Sequence, residues 1–95
     1  MGSSRREERA VQAEDVFRNA NERVAAKARE LEIRSSIPFL CECSDTRCFR
    51  HIPLTLEEYD NTGVGPQRYL TAPGHMVGGA SVVAHHGRFA LAEKP

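Results

Sequence analysis

The stretch Ile37-Pro38-Phe39-Leu40-Cys41-Glu42-Cys43-Ser44-Asp45-Thr46-Arg47-Cys48 decides how the chain is read, because it holds all three cysteines within eight residues at the point where composition changes. Residues 37–43 have the apolar and β-branched content of a strand, and residues 44–47 are turn formers. In an extended strand, residues two apart face the same side, so Cys41 and Cys43 offer both sulfurs to one point while Glu42 faces away. The turn then brings Cys48 back over the pair. A disulfide between Cys41 and Cys43 does not suit this geometry: Cα atoms two apart in a strand are separated by ~6.5–7 Å, at or beyond the usual range, and a third thiol would be left over. Three converging thiolates form a soft face that selects zinc or an iron–sulfur cluster over magnesium or calcium. Three buried apolar cysteines are the plain structural alternative.

A closed tetrahedral zinc site needs a fourth ligand, and the histidines supply candidates. His75 follows Pro73-Gly74, a rigid turn that can project one imidazole inward from a distant part of the chain, and it is the first choice. His51 is the rival, three residues after Cys48, where a returning strand can also point it elsewhere. His85 and His86 are adjacent in an expected hairpin turn, so at most one of them can join. The expected metal set is therefore Cys41, Cys43, Cys48 and His75 around one Zn2+.

Amino-terminal to the cysteines, residues 1–35 have no Pro and no Gly after Gly2 and are dense in Arg, Glu and Ala. They predict one long amphipathic helix, started by a capping box at Ser4 and Glu7 and ended at Ser35 and Ser36 by the extended geometry that Pro38 imposes on Ile37. Ala10, Phe17, Val24 and Leu31 recur at intervals of seven, with Ala13 and Ala20 between them, forming a narrow apolar stripe. Lys27 and Arg34 break the second line of that seam, which weakens a long coiled coil. The expectation is that the carboxy-terminal half of the helix packs on the rest of the chain. The half around Ala10 to Phe17 is expected to engage a second copy or another protein.

Carboxy-terminal to the cysteines, residues 51–54 predict a short returning strand. Thr55 and Glu58 form a capping box for a short helix from Leu56 to about Asn61, stopped by Gly63, Gly65 and Pro66. Residues 69–72 can be extended, Pro73-Gly74 is a turn, and residues 80–85 and 88–93 flank His86-Gly87 as a hairpin. The fold class is α+β: a long amino-terminal helix (1–35), then a small zinc-stapled domain (36–95) of short antiparallel strands, one short helix and a carboxy-terminal hairpin. So small a core normally needs a staple, and metal would supply it.

The segments Phe39 to Asp45 with Cys48, Leu54-Thr55-Leu56-Glu57-Glu58-Tyr59, Ala72-Pro73-Gly74-His75 and the closing Glu93-Lys94 together resemble a group of small uncharacterised actinobacterial proteins. Those proteins share a CxCxxxxC segment, an LTxEEY segment and a PGH turn behind an Arg/Glu-rich helix. The resemblance covers residues 39–94. It implies that Cys41, Cys43, Cys48 and His75 form one set, and it leaves His51 outside. Met76 departs from the acidic residue expected after that histidine, and Thr46 replaces a common turn Pro.

The whole chain of 95 residues allows one domain, and its thirteen basic and thirteen acidic side chains sum to zero, so the strongly basic footprint of a nucleic-acid-wrapping protein is missing. The longest uncharged stretch, residues 71–87, is broken by Pro73, glycines and three histidines and does not suit a bilayer span. The first residues lack the apolar core of a secretory signal, and the odd cysteine count suits a reducing compartment, so a cytoplasmic location is expected.

A non-enzymatic zinc module acting through a protein partner is the leading expectation, since four protein ligands leave no open position for catalysis. Were only three to bind, Glu42, Glu57 or Glu58 would be candidate bases. A second class is nucleic-acid binding through Arg47, Arg50, Arg68 and Arg88 interleaved with Phe49, Tyr59 and Tyr69. A third is a redox-sensitive zinc–thiolate switch. Gly63-Val64-Gly65 lacks the Lys and the following helix of a phosphate loop.

Overall fold

The computed structural model describes residues 12–95. The elements run α1 (Ala13–Glu30), β1 (Ile37–Leu40), β2 (His51–Leu54), α2 (Leu56–Asn61), β3 (Arg68–Thr71), β4 (Ser81–His85) and β5 (Ala90–Glu93). The architecture is α+β. Strands β1 and β2 form an antiparallel pair, and β3, β5 and β4 form an antiparallel three-stranded sheet in that order. The expected capping box at Ser4 and the stripe residue Ala10 lie outside the described residues.

Strand alternation builds the core. In β1 and β2, Ile37, Phe39, Ile52 and Leu54 point inward, while Pro38, His51 and Pro53 are exposed. Each of the large buried side chains Phe39, Leu54 and Leu70 is worth about 1.5–3 kcal/mol of transfer free energy. Thr55 caps α2 as expected: its hydroxyl accepts from the Glu58 N–H at 3.1 Å and the Glu58 carboxylate accepts from the Thr55 N–H at 2.8 Å. That helix lays Tyr59 flat on Phe39, with ring centroids 4.2 Å apart and planes 5° from parallel.

Helix α1 departs from expectation in two ways. It ends at Glu30, not at Ser35, because Glu32 takes a left-handed φ of 55° and two reverse hydrogen bonds close the end, Ile33 N–H to Ala28 C=O at 2.9 Å and Glu32 N–H to Arg29 C=O at 3.2 Å. This is a Schellman closure made without glycine, so the usual residue signal is missing. The buried face is also rotated off the apolar stripe. Glu14, Asn21, Ala25 and Ala28 are buried, whereas Val24 and Leu31 are 39% and 57% exposed.

The described amino-terminal part of α1 also contacts the rest of the chain, through polar side chains. Asp15 accepts from the Tyr69 hydroxyl at 2.8 Å, Arg18 donates to the Pro66 carbonyl at 2.9 Å, and Glu14 accepts from Lys94 at 2.9 Å. The buried face of α1 thus combines polar groups that have partners elsewhere in the chain with the small apolar residues Ala25 and Ala28.

Two strand boundaries also moved. Ladder pairing in β1 stops at Leu40 instead of Cys43, and the final hairpin closes one residue later than expected. His86 N–H bonds the Phe89 carbonyl at 2.9 Å around Gly87-Arg88, with Gly87 at φ 74°.

Candidate metal centre

Past β1 the chain leaves the strand ladder, and three of its backbone N–H groups find anchors on different segments. Cys41 N–H bonds the Arg50 carbonyl at 3.0 Å, Glu42 N–H the Leu70 carbonyl at 2.7 Å, and Ser44 N–H the Met76 carbonyl at 3.0 Å. These bonds hold the Cys-x-Cys segment between the β1–β2 pair, β3 and the loop after β3. Cys41 and Cys43 are both buried.

Asp45 then makes the turn that returns Cys48. Its carboxylate accepts from Arg47 N–H at 2.9 Å and its carbonyl from Cys48 N–H at 3.0 Å, an Asx turn that needs only the local sequence. On the far side, Pro73-Gly74 forms a tight turn with His75 N–H bonded to the Ala72 carbonyl at 3.1 Å and Gly74 at φ 82°, where a side chain would be strained.

The ligating atoms of Cys41, Cys43, Cys48 and His75 all lie within 4.8 Å of one another, so the four expected residues are brought together. His75 Nδ1 is 3.5 Å from Cys41 Sγ and 3.4 Å from Cys48 Sγ. A tetrahedral centre with zinc–sulfur bonds of about 2.3 Å and zinc–nitrogen bonds of about 2.0–2.1 Å has sulfur-to-nitrogen edges of about 3.5 Å. The donor spacing therefore fits a metal ion.

Around the sulfurs, backbone N–H groups supply hydrogen bonds of the kind that support thiolates. Ala72 N–H points at Cys41 Sγ at 3.2 Å. Burial pushes the Cys41 thiol up to about 12, against the pull of N–H groups from Ala72 and Cys43. Cys43 is also raised, first by burial, with the Asp45 N–H opposing. A cation held here would favour the thiolate forms of these sulfurs, and its uptake would release protons.

His51 stays outside the cluster, exposed on β2, because alternation there turns Ile52 and Leu54 inward. His85 and His86 are exposed, and His86 stacks on Phe89 at 4.7 Å between centroids. None of the three glutamates considered as bases joins the cluster. Glu57 is exposed, Glu58 caps α2 and pairs with Arg88 at 3.2 Å, and Glu42 turns the other way.

Glu42 heads a buried polar hub that sequence reasoning missed. One carboxylate oxygen accepts from the Leu70 N–H at 2.9 Å and the other from Asn21 Nδ2 at 2.7 Å. Asn21 also brackets the outer edge of β1, donating to the Leu40 carbonyl at 2.9 Å and accepting from the Leu40 N–H at 2.8 Å. Its amide thus stands in for a neighbouring strand. Burial raises the Glu42 carboxyl to about 7, while Asn21 and the Leu70 N–H pull it down.

Ser44 carries a second link, accepting from Gly78 N–H at 2.7 Å and donating to Glu14 at 3.0 Å. The only sequence trace of this network is Glu14 and Asn21 recurring seven apart on one helix face. No protein-family model, curated protein or solved structure matches the chain.

Proposed function

We propose that this protein is a non-enzymatic zinc-binding module in which one Zn2+, held by Cys41, Cys43, Cys48 and His75, staples two parts of the fold. The observation that carries the reading is the convergence of four soft and borderline donors, at edges suited to a tetrahedron, from three separate segments. The Cys-x-Cys segment, the Asp45 turn and the Pro-Gly-His turn share few apolar side chains, so a metal here would tie them more effectively than packing. Zinc suits a Cys3His set better than the hard cations do, and four protein ligands fill its coordination, which supports a structural and not a catalytic role.

With the fold held in this way, α1 and its C-cap residue present Val16, Val24 and Leu31 outward at 49%, 39% and 57% exposure, and these side chains support engagement of a protein partner or a second copy. No helix among the described residues is long and apolar enough to cross a membrane. A reducing cytoplasm suits three unpaired thiols.

Native mass spectrometry of protein purified without added metal tests the reading in one measurement, giving metal identity, stoichiometry and subunit number. One zinc per chain is expected, with loss of near-UV signal and amide dispersion when a strong chelator removes it. Intact free thiols without metal would overturn the proposal. A native spectrum after chelation would reduce the site to an accessory.

A further inference from the structure

Four arginines are paired with acidic side chains: Arg18, Arg29, Arg68 and Arg88 are engaged by Asp15, Asp60, Glu93 and Glu58 respectively. Four others, Arg23, Arg34, Arg47 and Arg50, enter no ion pair or side-chain hydrogen bond among the described residues, and of these only Arg47 and Arg50 flank an exposed aromatic ring. Both are exposed. Between them Phe49 is 80% exposed, more than any other large apolar side chain described. Tyr59 and Tyr69, by contrast, are 7% and 1% exposed and offer no face to a ligand.

The loop that displays Phe49 is anchored on both sides. Cys48 turns inward toward His75, so its neighbour Phe49 turns outward, and the Arg50 carbonyl is held by Cys41 N–H. Asp45 is the one acidic side chain within the turn, and its carboxylate already accepts from the Arg47 N–H.

We propose that residues 47–51 form a binding surface for single-stranded nucleic acid, with one base stacked on the Phe49 ring and flanking phosphates held by Arg47 and Arg50. An exposed ring between two free guanidinium groups presents the two contacts such a strand offers, a π-face and a phosphate, at adjacent positions. A duplex is not suited, since its base faces are hidden and a chain of zero net charge cannot supply the many cations that duplex binding uses. This surface is separate from α1 and rests on the metal reading only in that Cys48 ties the loop down.

The test is fluorescence anisotropy of a labelled oligothymidylate of about twelve nucleotides, titrated with the full chain from about 50 to 200 mM salt. Metal content is measured in every sample. Saturable binding is expected, weakened roughly tenfold or more by Phe49→Ala and retained by Phe49→Tyr. Arg47→Ala and Arg50→Ala should each lower the slope of log affinity against log salt by about 0.7.

Metal-loaded protein that gives no binding, an unchanged affinity in Phe49→Ala, or equal binding to a duplex of the same sequence would overturn the proposal. So would displacement by polyglutamate at matched charge, which would assign the surface to an acidic protein. Protein that is purified without metal, with its thiols intact, and still binds in a Phe49-dependent way would support this surface while overturning the zinc reading.

Discussion

Replacing Asn21 by leucine separates two accounts of why α1 docks where it does. An amphipathic-stripe account expects a gain, because Asn21 is fully buried and a leucine of similar volume adds up to about 1.5–3 kcal/mol of apolar transfer free energy. The hydrogen-bond account expects a loss. Asn21→Leu strands one oxygen of the buried Glu42 carboxylate and the part-buried Leu40 N–H and carbonyl, groups that cost up to about 1–3 kcal/mol each when left without partners.

These costs do not add fully, since the three groups share one partner, and the leucine offsets part of them. A net destabilisation of about 2–4 kcal/mol is expected, against a total stability of about 5–14 kcal/mol for a chain of this length. Urea denaturation followed by circular dichroism measures it, with free metal held constant so that ligand linkage does not enter the comparison. For a urea dependence of about 1–2 kcal/mol per molar, the midpoint should fall by at least 1 M, roughly. An unchanged or higher midpoint in Asn21→Leu would refute the reasoning and restore apolar area as the determinant of the docking face.

Three further outcomes are expected. His75→Ala should lose tight metal binding while His51→Ala keeps it, as read by metal content after dialysis, because His51 is exposed on β2 and His75 Nδ1 sits beside two sulfurs; the reverse pattern would reassign the fourth ligand. Burial alone would raise Glu14, but hydrogen bonds from Lys94, the backbone and Ser44 outweigh it and hold the carboxyl below its ordinary value of 4.5, so the stability it contributes is present above that value and lost as pH falls through the lowered one. Lys94→Met should therefore cost about 1–3 kcal/mol at neutral pH and flatten the acid limb of the stability profile, whereas an acid limb as steep as before would show that Glu14 does not set it. Finally, the Tyr59 hydroxyl is buried without a hydrogen-bond partner among the described residues, so Tyr59→Phe should be neutral or stabilising by up to about 1 kcal/mol; a thermal midpoint lowered by several degrees would reveal a partner for that hydroxyl.

The sequence by itself determined the features whose physics is local. Cys41, Cys43, Cys48 and His75 were legible because strand alternation, an Asx turn and a Pro-Gly turn each act within a few residues, and their convergence needed only that these pieces meet. The Thr55 capping box and the inward residues of β1 and β2 follow from the same short range. Tertiary structure alone decided which side of α1 is buried. Glu14 and Asn21 look like solvent-facing residues until the unpaired edge of β1, the Glu42 carboxylate, Ser44 and Lys94 are placed opposite them, at separations of 19 to 80 residues. It also decided where α1 stops, since Glu32 takes a left-handed turn that its residue type does not announce. The physical reason is the same in both cases: a buried polar group is favourable only when its partner is in place, and no local pattern specifies a partner from elsewhere in the chain.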